Sequence, residues 1–378
     1  MNAPWLKDPH PQAVCKMLTD AGHTVWFVGG CVRNAVIGAP VSDLDLSTDA
    51  PPDRVMQLAQ AAGYKAIPTG IDHGTVTVVV GGTPFEITTF RKDVETDGRR
   101  AVVAFSTDIT DDARRRDFTM NALYLAPDGT LADPLGGMPD LRARRVRFIE
   151  DGDLRVKEDY LRILRFFRFH AWYGDQSAGL DPDGLAACAD NIAGLAELSK
   201  ERIGQEMRKL LSAPDPAPAL AAMAACGALH QILPGAAAVM LAPLVHLEDG
   251  QGVPPDPIRR LAVLGGQDIA NALRLTKKEI ARLGQLHHFT GDARLAGYTY
   301  GADTAQDMLL IEAASLGHEI DPNKVEIAKR ASRKTFPVHA SDLMPDLTGP
   351  ALGKALRQIE DRWIASDFTL TKDQLLAE

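Results

Sequence analysis

The sequence predicts an α+β protein, a mixed α/β head followed by an all-helical remainder. Two observations carry this. Three β-branched or aromatic runs bounded by glycines, VWFV (25–28), TVTVVV (75–80) and FEITTF (85–90), all fall in the first quarter of the 378 residues. Beyond about residue 155 such runs give way to Ala/Leu-rich stretches with helical spacing, punctuated at SAPDPAP (212–218), Pro234-Gly235 and VPPDP (253–257). At about 150 residues per domain the length suits two to three domains. A composition of 45% apolar, 24% charged and 6% aromatic residues excludes a disordered or collagenous chain.

Taken in order, VWFV is a short strand that runs into Gly29-Gly30 and then a helix over Cys31–Ile37. Thr48 and Asp49 read as caps of the next helix, where Pro51 and Pro52 suit a first turn and Val55, Leu58, Ala59 and Ala62 repeat on one face until Gly63. TVTVVV and FEITTF flank GGTP, a connection of hairpin length. The alanine-rich stretch 217–244 is broken by prolines and polar residues, so no transmembrane helix is expected. The start lacks a secretory pattern, and the four cysteines have no CxxC spacing, so reduced thiols and a cytoplasmic address are expected.

Net charge is −9, unusual for a nucleic-acid binder unless the charge is unevenly spread. It is: residues 142–168 hold nine basic side chains against five acids, and Lys324, Lys329, Arg330, Arg333 and Lys334 share their window with Glu326 alone.

Three constellations can carry chemistry. In the first, Gly29 and Gly30 between strand and helix let backbone N–H groups approach a phosphate at the electropositive helix start, and Arg33 adds a charge-assisted contact. Asp43 and Asp45, two apart on a strand, would face the same side, and adjacent carboxylates of this kind suit Mg²⁺. A solvated acidic strand end is the plain alternative. In the second, Arg114 to Ala122, Arg116 suits a nucleotide's phosphates or sugar, while Asp117 and Asn121 hold the ribose and local backbone; a basic surface helix start is the alternative. The third is EDYLRILRFFR (158–168). On one helix Asp159, Arg162, Arg165 and Arg168 form a ridge that is either a salt-bridge ladder or an acceptor and donor set matching the edges of cytosine and adenine.

GGCVRN with SDLDL, RRDFTMNA, DPLGGMPDL (133–141) and EDYLRILRFFRF stand in the order and spacing of the class II tRNA nucleotidyltransferases, the CCA-adding enzymes, which share a family with bacterial poly(A) polymerases. The sequence resembles this family strongly from residue 23 to about 210 and more loosely to the C-terminus, where FPVHASDLMPDLTGPALGKAL (336–356) is similar to its tRNA-binding tail. One position departs: the family's GGxVRD usually ends in aspartate, whereas position 34 is asparagine, which keeps hydrogen bonding and drops the charge.

The resemblance implies a polymerase-β-like nucleotidyltransferase head (1–140), a helical neck that recognises the base (141–215), a helical body (216–320) and a helical tRNA-binding tail (321–378). It implies that Asp43 and Asp45 hold Mg²⁺ in a two-metal site, with Glu86 either a third carboxylate or a solvent-facing strand residue. Gly29, Gly30 and Arg33 match triphosphate contacts, Arg116 the sugar-binding motif, Asp159 and Arg162 the base-reading pair, and Arg165 and Arg168 further nucleotide contacts. Lys329, Arg330, Arg333, Lys334, Gly349 and Gly353 would touch RNA. The activity implied is template-independent addition of CCA to tRNA from CTP and ATP with release of pyrophosphate, without membrane or obligate protein partner. Residues 92–100, polar and glycine-bearing, would be the flexible loop that permits the switch from C to A.

A poly(A) polymerase, or an enzyme adding only CC or only A, would use the same head. An aminoglycoside-type nucleotidyltransferase would share the glycine turn and DxD but not EDxxRxxR. A catalytically dead RNA-binding module is disfavoured by intact Asp43, Asp45 and Arg116. A phosphohydrolase is disfavoured because His287-His288 is followed by Phe289-Thr290 rather than an aspartate.

Overall fold

Helix α1 (Pro9–Thr19), capped by Asp8, leads into β1 (Val25–Val28), α2 (Gly30–Ile37), β2 (Asp45–Thr48) and α3 (Pro52–Ala61). The computed structural model describes residues 3–97, 100–344 and 346–377, which divide into two compact units, Met1–Leu210 with Pro218–Ile232, and Leu211–Ala217 with Leu233–Glu378. Thr48 and Asp49 do not cap α3, correcting the sequence reading: Pro51 is its N-cap, without a side-chain cap bond. Thr48 instead ends β2, and the Asp49 carboxylate accepts from the Thr24 backbone N–H at 3.0 Å.

In the first unit, β3 (Lys65–Gly70), β4 (Thr75–Val80), β5 (Thr83–Thr89), β8 (Tyr124–Leu125) and β9 (Leu131–Ala132) complete a seven-stranded sheet of order β3-β4-β5-β2-β1-β8-β9. Only β2 and β5 among these paired neighbours run parallel. The β4–β5 turn needs both its glycines, since Gly81 (φ +58°) and Gly82 (φ +83°) adopt the left-handed backbone that a two-residue hairpin loop demands. Strand β3 escaped the sequence reading because KAIPTG contains Pro68 and lacks a clean apolar alternation. It is an edge strand, where a missing N–H is tolerated, and its register shifts between Ile67 and Gly70.

Residues 92–100 are not a simple loop. β6 (Arg91–Asp97) and β7 (Arg100–Phe105) form a separate two-stranded antiparallel ribbon, with Asp97 opposite Arg100; Gly98 and Arg99 lie outside the described residues.

Helix α4 (Ile109–Arg114) precedes β8, and α5 (Met138–Arg142), α6 (Gly152–Glu158) and α7 (Leu161–Tyr173) follow β9. Phe118, Phe148, Phe166 and Phe169 pack ring against ring at 4.9–6.4 Å, joining the RRDFTMNA segment to α7. Full burial of each such side chain stabilises by about 1.5–3 kcal/mol. Helices α8 (Pro182–Asp190), α9 (Lys200–Leu211), α10 (Ala217–Ala225) and α11 (Ala228–Ile232) come next in the chain.

The α-helices of the second unit among the described residues are α12 (Leu241–Gly250), α13 (Pro257–Leu264), α14 (Ile269–Ala272), α15 (Lys277–His287), α16 (Ala293–Tyr300), α17 (Ala302–Leu316), α18 (Pro322–Ala331), α19 (Gly349–Ala365) and α20 (Lys372–Leu376), joined by turns and irregular segments with no strand. Two fully buried arginines anchor it. Arg259 pairs with Glu248 (2.7 Å) and Asp307 (2.6 Å), while Arg260 pairs with Glu248 and donates to the carbonyls of Leu211 and Ala213. Buried charges are tolerable only when compensated in this way. Trp363, Ile364, Phe368 and Leu375 form a second core near the C-terminus. No helix among the described residues is long and apolar enough to cross a membrane, and all four cysteines are free thiols.

Candidate active site

The site is assembled by strand register. Val28, the last residue of β1, stands beside Asp45, the first of β2, and Asp45 stands beside Glu86 on β5. The Gly29-Gly30 turn therefore begins alongside Asp45. Gly29 has φ +74° and ψ −127°, a conformation that glycine adopts freely, and a Cβ there would lie 3.6 Å from Arg116 Nη1.

Asp43 precedes β2 rather than lying on it, correcting the two-apart strand geometry, and its carboxylate accepts from Ser42 Oγ at 2.9 Å. Although Asp45 is solvent-exposed, partial desolvation and the neighbouring Glu86 raise its carboxyl above the ordinary range, with Asp43 adding to the rise and Arg116 opposing it. Glu86 is thus an electrostatic neighbour of Asp45 as well as an exposed strand residue. Among the described residues, no three His, Cys, Asp or Glu side chains are gathered closely enough to hold an ion as they stand. The donor set nevertheless fits one, because hard carboxylate oxygens on neighbouring positions, with one carboxyl destabilised in its charged form, are what a divalent cation relieves.

Arg116 is fixed from behind. Asp112, fully buried on α4, accepts from Arg116 Nη2 (2.9 Å) and pairs with Arg115, while Tyr124 Oη donates to Asp112 at 2.8 Å and accepts from Arg116 Nε at 3.1 Å. Burial works against the Arg116 charge, but Asp112 outweighs it and raises the pKa above arginine's ordinary value. Burial would likewise raise the Asp112 carboxyl, and the two arginines drive it far down instead. Sequence reading missed Asp112, whose signal was its i, i+3 and i, i+4 spacing to Arg115 and Arg116.

Asp117 and Asn121 form a buried relay. Asn121 Nδ2 donates to Asp117, Asn121 Oδ1 accepts from Arg33 Nη1 at 2.6 Å, and Arg165 Nε donates to Asp117 at 2.8 Å. Burial alone would raise the Asp117 carboxyl; Arg165 and Asn121 pull it down to about 2. Asn34 turns its oxygen to Arg33 (3.1 and 2.9 Å) and its Nδ2 to the Pro40 carbonyl (2.7 Å), a donation that aspartate could not make.

Asp159, Arg162, Arg165 and Arg168 do not form one helical ridge. Asp159 sits at the break between α6 and α7 in extended backbone, where its Oδ1 accepts from the Leu161 N–H (3.1 Å) and its Oδ2 from Arg202 (2.6 Å). Arg162 turns to Glu158 (2.5 Å) and to the carbonyls of Arg155 and Arg115, so it is not paired with Asp159. Arg165 pairs with Asp117, and Arg168 with Glu206 at 2.5 Å. The partners of Asp159, Arg165 and Arg168 come from separate segments, so the four residues form no continuous salt-bridge ladder, although Arg162 and Glu158 keep an i, i+4 pair.

In the second unit, Lys324 pairs with Glu312, Lys329 with Glu326 and Arg330 with Asp367, so the basic cluster is more neutralised than its sequence window suggested. Arg333 and Lys334 are exposed, with Lys334 6.0 Å from the Phe368 ring. Gly349 begins α19 at φ +58°, and a Cβ at Gly349 or Gly353 would meet open space.

Residues 25–147 match the family model "Poly A polymerase head domain", and residues 179–240 match "Probable RNA and SrmB- binding site of polymerase A". The chain is 33% identical to the mitochondrial CCA tRNA nucleotidyltransferase 1 of Danio rerio over 93% of its own length and 86% of that protein's. It is 42% identical to the Homo sapiens counterpart, in an alignment covering 53% of this chain and 46% of that one. The crystal structure of the Bacillus stearothermophilus CCA-adding enzyme in complex with CTP superposes with a TM-score of 0.73 at 27% identity, covering 100% of this chain and 97% of that one.

Proposed function

Because the chain belongs to the CCA-adding enzyme family of tRNA nucleotidyltransferases, we propose that it adds C, C and A to the 3′ end of tRNA from CTP and ATP, with release of pyrophosphate. The observation that carries the reading is the register that sets Asp45 between the start of the glycine turn and Glu86, with Arg116 electrostatically coupled to it.

In this reading Asp43 and Asp45 hold Mg²⁺, with Glu86 as the neighbouring third carboxylate. Bound there, the cation lowers the pKa of the attacking 3′-hydroxyl and neutralises charge developing on the α-phosphate and the departing pyrophosphate. Gly29 and Gly30 present backbone N–H groups to the triphosphate at the start of α2, and Arg33 and Arg116 add charge-assisted hydrogen bonds. Asp117 and Asn121 orient Arg33 and Arg165.

Base choice falls to Asp159 and Arg162, supported by Arg165 and Arg168; to meet a base, Asp159 and Arg162 exchange at least one present partner, Arg202 or Glu158, for its edge. A donor or acceptor mismatch in such a desolvated site is costly, so protein can replace a template. The β6–β7 ribbon takes the part assigned to the 92–100 loop, adjusting the pocket as the primer lengthens. Lys329, Arg330, Arg333, Lys334, Gly349 and Gly353 contact tRNA, within the head, neck, body and tail division given above. A reducing, cytoplasmic compartment suits the free thiols.

The test is transfer of the labelled α-phosphate of CTP to tRNA lacking its 3′ CCA. Incorporation is expected to stop on chelation and return with Mg²⁺; full incorporation in excess chelator contradicts the metal site.

A further inference from the structure

Arg116, Arg162, Arg165 and Arg168 each face a carboxylate, respectively Asp112, Glu158, Asp117 and Glu206. Arg33 is held differently. Its polar partners among the described residues are the amide oxygens of Asn34 and Asn121, at 2.6–3.1 Å, although the side chain is buried. The remaining contacts are aromatic: its Cζ lies 3.8 Å from the centroid of the Tyr173 ring and 5.2 Å from that of Phe169. Phe169 is also approached by Arg165 (5.2 Å) and Arg168 (4.6 Å), so three guanidiniums converge around one ring.

A cation in this position needs support that does not cancel it. A carboxylate would neutralise Arg33 and compete with an incoming phosphate, whereas an aromatic face attracts the guanidinium through its quadrupole and occupies none of its N–H groups. Tyr173 is well placed for this. It is the last residue of α7, and the turn beyond it is tight: the Gly174 N–H donates to the His170 carbonyl at 2.8 Å, and a Cβ at Gly174 would come within 2.4 Å of His170 Nδ1.

We propose that Tyr173 is a positioning residue for nucleotide binding, its ring clamping the Arg33 guanidinium so that a positive charge with no carboxylate bonded directly to it among the described residues is aimed at the triphosphate. This rests on the reading of Arg33 as a triphosphate contact. Asn34 and Asn121 set the in-plane orientation of the guanidinium and Tyr173 stacks on its face.

The experiment measures kcat and KM for CTP and for ATP on the appropriate 3′-truncated tRNAs. Variants are Tyr173→Leu, Tyr173→Met, Tyr173→Phe, Arg33→Ala and the double Arg33→Ala/Tyr173→Leu, each checked by thermal melting. Tyr173→Leu is expected to raise KM about three- to tenfold for both nucleotides with kcat changed less than about twofold. Tyr173→Phe should restore KM, and the double variant should be no worse than Arg33→Ala alone. Tyr173→Met serves the same comparison if the leucine variant does not fold. If Arg33→Ala raises KM and the leucine and methionine variants do not, or if phenylalanine fails to rescue, the clamp is refuted while the Arg33 assignment survives. If Arg33→Ala itself leaves KM unchanged, both fall.

Discussion

Asp45 and Glu86 stand opposite each other on the parallel β2–β5 pair, and partial desolvation together with that neighbouring carboxylate holds the Asp45 carboxyl above its ordinary range. Such an arrangement is poorly compensated by protein alone, since Arg116, the arginine that opposes the shift, is already committed to Asp112. Asp43→Ala and Asp45→Ala are therefore expected to lower nucleotide addition about 1000-fold or more, as loss of a metal site would. Filter binding of tRNA should change little. Appreciable turnover in either variant would remove the metal role.

Asp117 gives a pH-dependent stability. Its folded-state pKa is about 2, below the unfolded value near 3.8, so its contribution is present above pH 4 and is lost as pH falls toward 2. Asp117→Asn should cost about 2–3 kcal/mol at neutral pH, because Arg165 is left without its counter-charge, and should flatten the fall in urea midpoint between pH 4 and 2. An unchanged acid limb would show that the pair does not stabilise the fold.

The strands and the acid-glycine site were legible because their signals are local: VWFV, TVTVVV and FEITTF became β1, β4 and most of β5, and GGCVRN became the turn into α2. What stayed hidden depends on distant partners. Asp159 and Arg162 look like a helical pair at i, i+3, yet the helix breaks at Asp159, which is held by Arg202, 43 positions away, while Arg162 donates to the distant Arg115 carbonyl besides its local pair with Glu158. The Tyr173–Arg33 stack joins residues 140 positions apart in sequence. Residues 92–100 read as a loop because polar residues mask strand pairing whose hydrogen bonds are made by backbone.

Base choice is the next expectation. Asp159→Ala and Arg162→Ala should admit UTP or GTP, with a loss of about 10- to 100-fold in the preference for CTP and ATP and a smaller fall in kcat. Competition assays with mixed nucleotides, read by sequencing the extended tRNA, decide it. Unchanged discrimination would return both residues to helix-end ion pairing.

The exposed pair Arg333 and Lys334 should contribute phosphate contacts. Replacing both with alanine is expected to lower the slope of log affinity against log salt by about 1–2, since each lost contact releases roughly one counterion fewer. An identical slope would make this end of the second unit structural only.

The most direct measurement incubates the unaltered protein with tRNA lacking its 3′ CCA, supplying CTP and ATP separately and together, and sequences the products. CTP alone should yield two added C residues, and both nucleotides together should yield CCA and stop. A growing tract of A with ATP alone, or arrest at CC when both are present, would contradict the account.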